Sequence, residues 1–292
     1  MPVPLVLDTD IGSDVDDALA LAFALKHPDI DLRAITTVAD DVVLRAHIAH
    51  KLLQIAGRTD IPVAPGVGWD TSPSGRLSAG GHEGRGVIEP GEEPPHFEHD
   101  AVSVLLDSGD AEICTIGMQS NVAAAIERDA SFPARVPRLN VMGGLFDQDM
   151  PTSRDHNLVV DPAASQRSLN ARWPSVMYVP VDVTMKVPLP RSHLEELRGG
   201  DELCRALARL LDVFIEVNDL RGDVAALLHD PLCVACIVDK RFVSTENLLV
   251  RVVERDGYVR TVVDSEQGRP AEVVRSADAG AFADFWLETV LH

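Results

Sequence analysis

Short apolar runs of strand length alternate along this chain with longer stretches of helical period. The first pair is "PLVLD" and, after a polar reversal, "DDALALAFALKH". "DLRAITTV" precedes a helix predicted from Val42 to Ala56, "EICTIG" precedes "NVAAAIERD", and "LNVMGG" leads through a long loop into "DPAASQRSLNAR". "SVMYVPVDV" reads as another buried strand, "DELCRALARLLDVFIEVND" as a strongly periodic helix, and "HDPLCVACIVD" as the start of a further one. Apolar strands alternating with helices are what a parallel sheet covered on both faces requires. The expected fold class is α/β: an open, mostly parallel, Rossmann-like sheet flanked by helices. Near the end, "NLLVRVVERDGYVRTVVD" sets Asp256-Gly257 between two β-rich runs, which predicts a C-terminal β-hairpin. "AFADFWLETVL" closes the chain as a helix.

No repeat or linker interrupts this pattern, so residues 1–292 are expected to form a single domain. The stretch from Thr71 to Pro95 is rich in Gly, Ser, Pro and Glu and too long for a simple connection. Such an insertion is either disordered or a functional lid.

Composition narrows the partners. A formal charge of −20 works against any general attraction to nucleic acid or anionic lipid, and leaves a small molecule or a metal cation as the natural partner. The apolar runs are too short for a membrane span and no signal peptide is evident, so a cytoplasmic protein is expected. Cys114, Cys204, Cys233 and Cys236 suggest no disulfide framework. The single CxxC at Cys233 and Cys236 lacks the second pair of a structural zinc site and reads as buried thiols.

In open parallel sheets, ligands bind beyond the carboxyl ends of the strands. That rule selects Asp8 to Asp17, Asp40 and Asp41, Gly117 to Asn121, and Gly143 to Asn157, where the unusual polar residues concentrate. Within the first of these, five aspartates (Asp8, Asp10, Asp14, Asp16 and Asp17) fall within ten residues, so the cluster needs either full solvation or a cation. Carboxylates are hard ligands that select Ca²⁺ or Mg²⁺. Helix-dipole preference accounts for Asp16 and Asp17 at a helix start but not for the other three. No EF-hand loop closes after Gly12, and Ile11-Gly12-Ser13 does not supply the Gly-Thr that a haloacid-dehalogenase-type phosphotransferase carries.

The stretch Asp8-Thr9-Asp10-Ile11-Gly12, followed after two additional residues by Asp16-Asp17-Ala18, resembles the D-T-D-x-G-x-D-D-A-x-A signature of the inosine-uridine-preferring nucleoside hydrolase family. The resemblance runs on in order over almost the whole chain. "AITTVADD" is similar to the second family block, "TIGMQSNVAAA" to G-x-L-T-N-x-A, and "NVMGG" to the M-G-G strand. "DHNLVVDPAA" is similar to E-x-N-x-x-x-D-P-x-A, and "LLHDPLCVA" to the H-D-P/A block. It implies the nucleoside hydrolase fold and hydrolysis of a ribonucleoside to ribose and free base. It also implies one bound Ca²⁺, a place in nucleoside salvage, and a homodimer or homotetramer.

Carried over by position, the resemblance makes Asp10 metal ligand and general base, and Asp17 and Asp230 metal ligands. Ser120 would contribute its backbone carbonyl to the metal. Asp16, Asp41 and Asn157 would hold ribose hydroxyls. His229 would stand near the departing base, and His82, in "GGHEGRG", matches a second histidine of the site. Asp155 falls where the family has a glutamate contacting the ribose 5′-hydroxyl, and Asp149 lies near a ribose-binding asparagine. Asp40 replaces a usual glycine. In isolation, His229 and Asp230 before Pro231 also fit a helix start, and Asp40 and Asp41 a helix N-cap before Val42. The departures concern the sugar more than the metal. They leave open a hydrolase of a modified ribosyl compound or a catalytically weak nucleoside-binding protein. A Mg²⁺-dependent phosphatase is the third class and lacks a basic phosphate contact.

Overall fold

The computed structural model describes residues 1–75, 80–147, 149–151, 155–255 and 258–292. Five strands lead in chain order: β1 (Val3–Thr9), β2 (Ile30–Thr37), β3 (Val63–Pro65), β4 (Glu112–Thr115) and β5 (Leu139–Met142). They are followed by β6 (Val176–Val179), β7 (Pro188–Pro190), β8 (Val224–Leu227), β9 (Val243–Arg255), β10 (Tyr258–Val263) and β11 (Arg269–Ala277). Among the described residues, β10-β9-β11-β6-β5-β4-β1-β2-β3 form one nine-stranded sheet, while β7 and β8 pair separately and antiparallel. From β6 to β3 every pairing is parallel.

The helices are α1 (Asp16–Lys26), α2 (Val42–Ile55), α3 (Ala101–Leu106), α4 (Ser120–Arg128), α5 (Phe132–Arg135) and α6 (His156–Val159). Then come α7 (Pro162–Leu169), α8 (Val181–Thr184), α9 (Ser192–Gly199), α10 (Glu202–Val217), α11 (His229–Val238) and α12 (Ala279–Leu291). The sheet is covered on both sides because successive strand residues face opposite ways. Leu5 and Leu7 enter the core built with α1, α10, α11 and α12, whereas Val6 enters the second core with Val122 and Leu139. Helix α1 is buried from Asp16 to Ala24, which explains why its sequence is apolar all round. Trp286 of α12 is fully buried and donates its indole N–H to the Leu19 carbonyl at 3.1 Å, pinning the last helix onto the first.

The expected C-terminal hairpin is the β9–β10 pair; its turn, Asp256-Gly257, lies outside the described residues. The apolar pattern did not announce β11, which runs antiparallel to β9 and parallel to β6 and so welds the hairpin onto the main sheet. The run "SVMYVPVDV" ends as a strand at Val179, and Val181–Thr184 turn helical. Pro180 has no N–H to extend the ladder and stands at the helix N-cap. All four cysteines are free and buried, with the sulfurs of Cys114 and Cys233 3.7 Å apart. Among the described residues no helix is long and apolar enough to cross a membrane.

Candidate active site

The parallel strands end at a cavity of about 430 Å³ whose wall includes Asp10, Asp16, Asp17 and Asp230. The four acids arrive from three places in the chain. Strand β1 delivers Asp10, the reversal after it starts α1 at Asp16 and Asp17, and α11 brings Asp230 from the far end of the chain. Asp16, Asp17 and Asp230 are 3–4% exposed, and one carboxylate oxygen from each lies within 4.8 Å of the others. The Thr9 hydroxyl donates to Asp17, and the backbone N–H of Asp230 donates to Asp16 at 3.4 Å.

Burial is the main reason these three carboxyls sit well above their usual pKa range, and their mutual repulsion pushes them the same way. Asp10 is raised by burial too, with Arg45 and His156 acting against it. Three converging oxygen donors that repel one another suit a hard divalent cation: the donor set fits such an ion and would be relieved by it. The backbone makes room for this arrangement at Gly117, where a Cβ would stand 2.7 Å from Asp10 Oδ1.

Other residues singled out in the sequence divide into two groups. His82, Asp155, Asn157 and His229 line the same cavity. Asp155 is 3% exposed; its Oδ2 accepts the Gly144 N–H at 2.9 Å, while Oδ1 is buried with no hydrogen-bond partner among the described residues. Burial pushes its carboxyl up to about 7. The Asn157 amide donates to the carbonyls of Ile116 (2.7 Å) and Met142 (3.2 Å), fixing it across two strand ends. His229 Nδ1 is 2.6 Å from Thr184 Oγ1, and desolvation lowers its ring to about 4.

Asp41 and Asp149 are absent from the cavity wall, and Ser120 engages its hydroxyl elsewhere, whereas the ligand expected of it is its carbonyl. Asp41 is exposed and caps α2, accepting the Leu44 N–H at 2.9 Å. Asp149 is exposed, with its N–H donating to Asp147. Ser120 begins α4 and gives its hydroxyl to Asp161 at 2.7 Å.

The structure adds residues that the sequence did not single out. His156, between Asp155 and Asn157, lines the cavity, as does Ser13, beside Asp14 of the aspartate cluster. The adjacency of His156 to two named residues was the available signal. Phe214 and Asn218 complete the wall from α10 and its C-cap.

Buried acids converging at the carboxyl edge of a mostly parallel sheet define an α/β enzyme with a candidate metal centre. The model of the inosine-uridine preferring nucleoside hydrolase family matches residues 5–284, and the chain belongs to that family. It is a hydrolase of the N-glycosyl bonds of nucleosides. It is 30% identical over 282 residues to the pyrimidine-specific ribonucleoside hydrolase RihA of Enterobacter sp. (strain 638), covering 90% of this chain and 88% of that one. The Salmonella agona (strain SL483) protein of the same name is 29% identical over 99% of this chain and 98% of its own. Among solved structures, the plant nucleoside hydrolase PpNRh1 superposes with a TM-score of 0.83 at 25% identity, covering 100% of this chain and 99% of that one. A purine-preferring ribonucleoside hydrolase from Gardnerella vaginalis shares the fold, with a TM-score of 0.82 at 24% identity over 98% of each chain.

Proposed function

We propose that this chain cleaves the N-glycosidic bond of a ribonucleoside to ribose and free base with the help of a Ca²⁺ ion. The observation that carries the reading is the buried carboxylate group of Asp16, Asp17 and Asp230 in the cavity wall at the carboxyl ends of the strands. Asp17 and Asp230 hold the cation, together with Asp10 and the Ser120 carbonyl that the family resemblance implies. A cation there supplies Lewis acidity to a water and positive charge for sugar hydroxyls. Asp10 takes the proton of the attacking water as general base. Asp16 borders cation and sugar, and Asn157 and Asp155 flank the ribose. The wall of carboxylates stabilises the positive charge that grows on the sugar as the bond to the base breaks, as in glycoside hydrolysis.

His229 serves the departing base. Its ring is neutral at pH 7 and holds Nδ1 2.6 Å from Thr184 Oγ1; the tautomer protonated at Nε2 is the one that would offer the base a hydrogen bond. A homodimer or homotetramer and a cytoplasmic role in nucleoside salvage accompany this reading. Asp155 drawn back onto the Gly144 N–H favours, as second reading, a ribosyl compound altered near its 5′ position. The test is reducing-sugar release from a panel of purine, pyrimidine and 5′-modified nucleosides, after chelation and again after Ca²⁺ is restored. Release that disappears and returns supports the reading. No release from any of them by Ca²⁺-loaded protein sinks it.

A further inference from the structure

Arg45 of α2 is 1% exposed, and its guanidinium spans three segments of chain. Nε donates to the Ala39 carbonyl at 2.9 Å, and Nη1 donates to the carbonyls of Ile11, at 3.0 Å, and of Asp10. Nη2 donates to Ser13 Oγ and to the Asp40 carboxylate, each at 3.0 Å. Two departures from the family signature meet here. Ser13 lies in the lengthened loop between Gly12 and Asp16. Asp40 stands in place of a glycine, with φ at +48°. Buried arginine needs this many acceptors, because each N–H left unmade costs a desolvation penalty.

The network continues outward. The Ser13 hydroxyl donates to Glu83 Oε1 at 3.0 Å, and the same oxygen accepts the backbone N–H of Gly80. Gly12 packs directly beneath, so close that a Cβ there would lie 3.2 Å from Glu83 Cγ and 2.8 Å from Ile48 Cδ1. Beside Glu83 in the chain is His82, which stands in the cavity wall with Gly80. The other side of this strap is tied to α10, where Arg209 Nε donates to the Gly86 carbonyl at 3.0 Å and Arg85 pairs with Glu216.

We propose that Arg45, Ser13 and Glu83 form a latch that docks the strap from Gly80 to Ile88 onto the Asp10 loop, with Glu83 a positioning residue acting on the substrate through His82. The inference rests on the nucleoside hydrolase reading for its substrate, not for its geometry. The latch fixes the outer wall of the cavity, so its loss weakens substrate binding more than water activation, which belongs to the Asp10 side.

The test uses steady-state ribose release by the Ca²⁺-loaded protein. Glu83→Ala and Ser13→Ala each raise KM about 10-fold, the size carried by one hydrogen bond to a charged group, with kcat within about threefold of the parent. Glu83→Gln, which keeps the acceptor oxygen, restores KM to within about threefold, as does Ser13→Thr. His82→Ala raises KM similarly, and the His82→Ala/Glu83→Ala double variant is no worse than His82→Ala alone. Multiplying effects in the double variant, or an unchanged KM in Ser13→Ala, overturn the proposal. Backbone hydrogen exchange reads the latch without turnover: Ser13→Ala speeds exchange across residues 80–88 while the core stays protected. Unchanged exchange there overturns it as well. A parent protein that releases no ribose defeats the nucleoside hydrolase reading instead, and leaves the exchange result to decide the latch.

Discussion

His229 Nδ1 and Thr184 Oγ1 stand 2.6 Å apart, joining the start of α11 to the short helix α8 beyond β6. This bond orients a ring that desolvation holds at about 4, well below the neutral-pH range. His229→Ala is expected to lower kcat about 10²-fold on a nucleoside whose base needs help to leave. An aryl riboside with an acidic phenol as leaving group loses much less. Thr184→Val shows a smaller loss with the same substrate dependence. The kcat–pH profile of the parent shows no break near 6.5 from this ring. Equal losses on both substrates would place His229 outside leaving-group assistance.

Gly117 ends the β4 loop so tightly that a Cβ would meet both Asp10 Oδ1 at 2.7 Å and Asp10 N at 2.9 Å. Neither atom belongs to a side chain that can swing away without moving the acid itself. Gly117→Ala therefore costs about 1–3 kcal/mol of stability by overpacking. It also lowers kcat more than a surface Gly→Ala control, because the displaced group is the proposed general base. Urea unfolding and ribose release on the same preparation check the two effects together.

The aspartate reversal and the helix-start acids were legible because charge that dense at a strand end has few uses. The order of parallel strands and helices was legible for a similar reason, since burial on both faces leaves each strand apolar. Arg45 was not legible. In "VVLRAHIAH" a lone arginine at helical spacing reads as a solvent-facing position, and only carbonyls arriving from Asp10, Ile11 and Ala39 make it a core residue. Asp41 shows the converse, since its side chain caps α2 as a residue of that type before an apolar run commonly does. Strand β11 escaped notice because "RPAEVVRSA" mixes charge with β-branched residues, as suits a strand whose ends are exposed.

Asp155 predicts a pH-dependent stability with a definite sign. Its carboxyl is raised from 3.8 to about 7 by burial, so its favourable contribution to folding is complete below 3.8 and is lost as pH rises through 7. Asp155→Asn imitates the protonated form. The variant should match the parent in stability near pH 3.5 and exceed it at pH 8 by up to about 4 kcal/mol. Denaturant unfolding of chelated protein at both pH values measures the difference. A gain confined to acid pH would mean that the buried group is ionised and paired. The same substitution raises KM for nucleosides if Asp155 flanks the ribose.

The three clustered carboxylates make stability depend on the cation, and the dependence reverses on substitution. In stripped protein, Asp16, Asp17 and Asp230 repel across less than 4.8 Å in a buried setting, so Asp230→Asn relieves repulsion and raises the melting temperature. Added Ca²⁺ stabilises the parent by mass action, about 2.7 kcal/mol at a hundredfold excess over Kd. The variant has lost a charged ligand and gains far less, so the order of the two melting temperatures inverts in Ca²⁺. Mg²⁺ demands stricter octahedral geometry and sheds water reluctantly, and it stabilises the parent less than Ca²⁺ at equal concentration. Scanning calorimetry of both proteins, chelated and Ca²⁺-loaded, checks this inversion. A parent that melts at the same temperature with and without Ca²⁺ would remove the cation from the site.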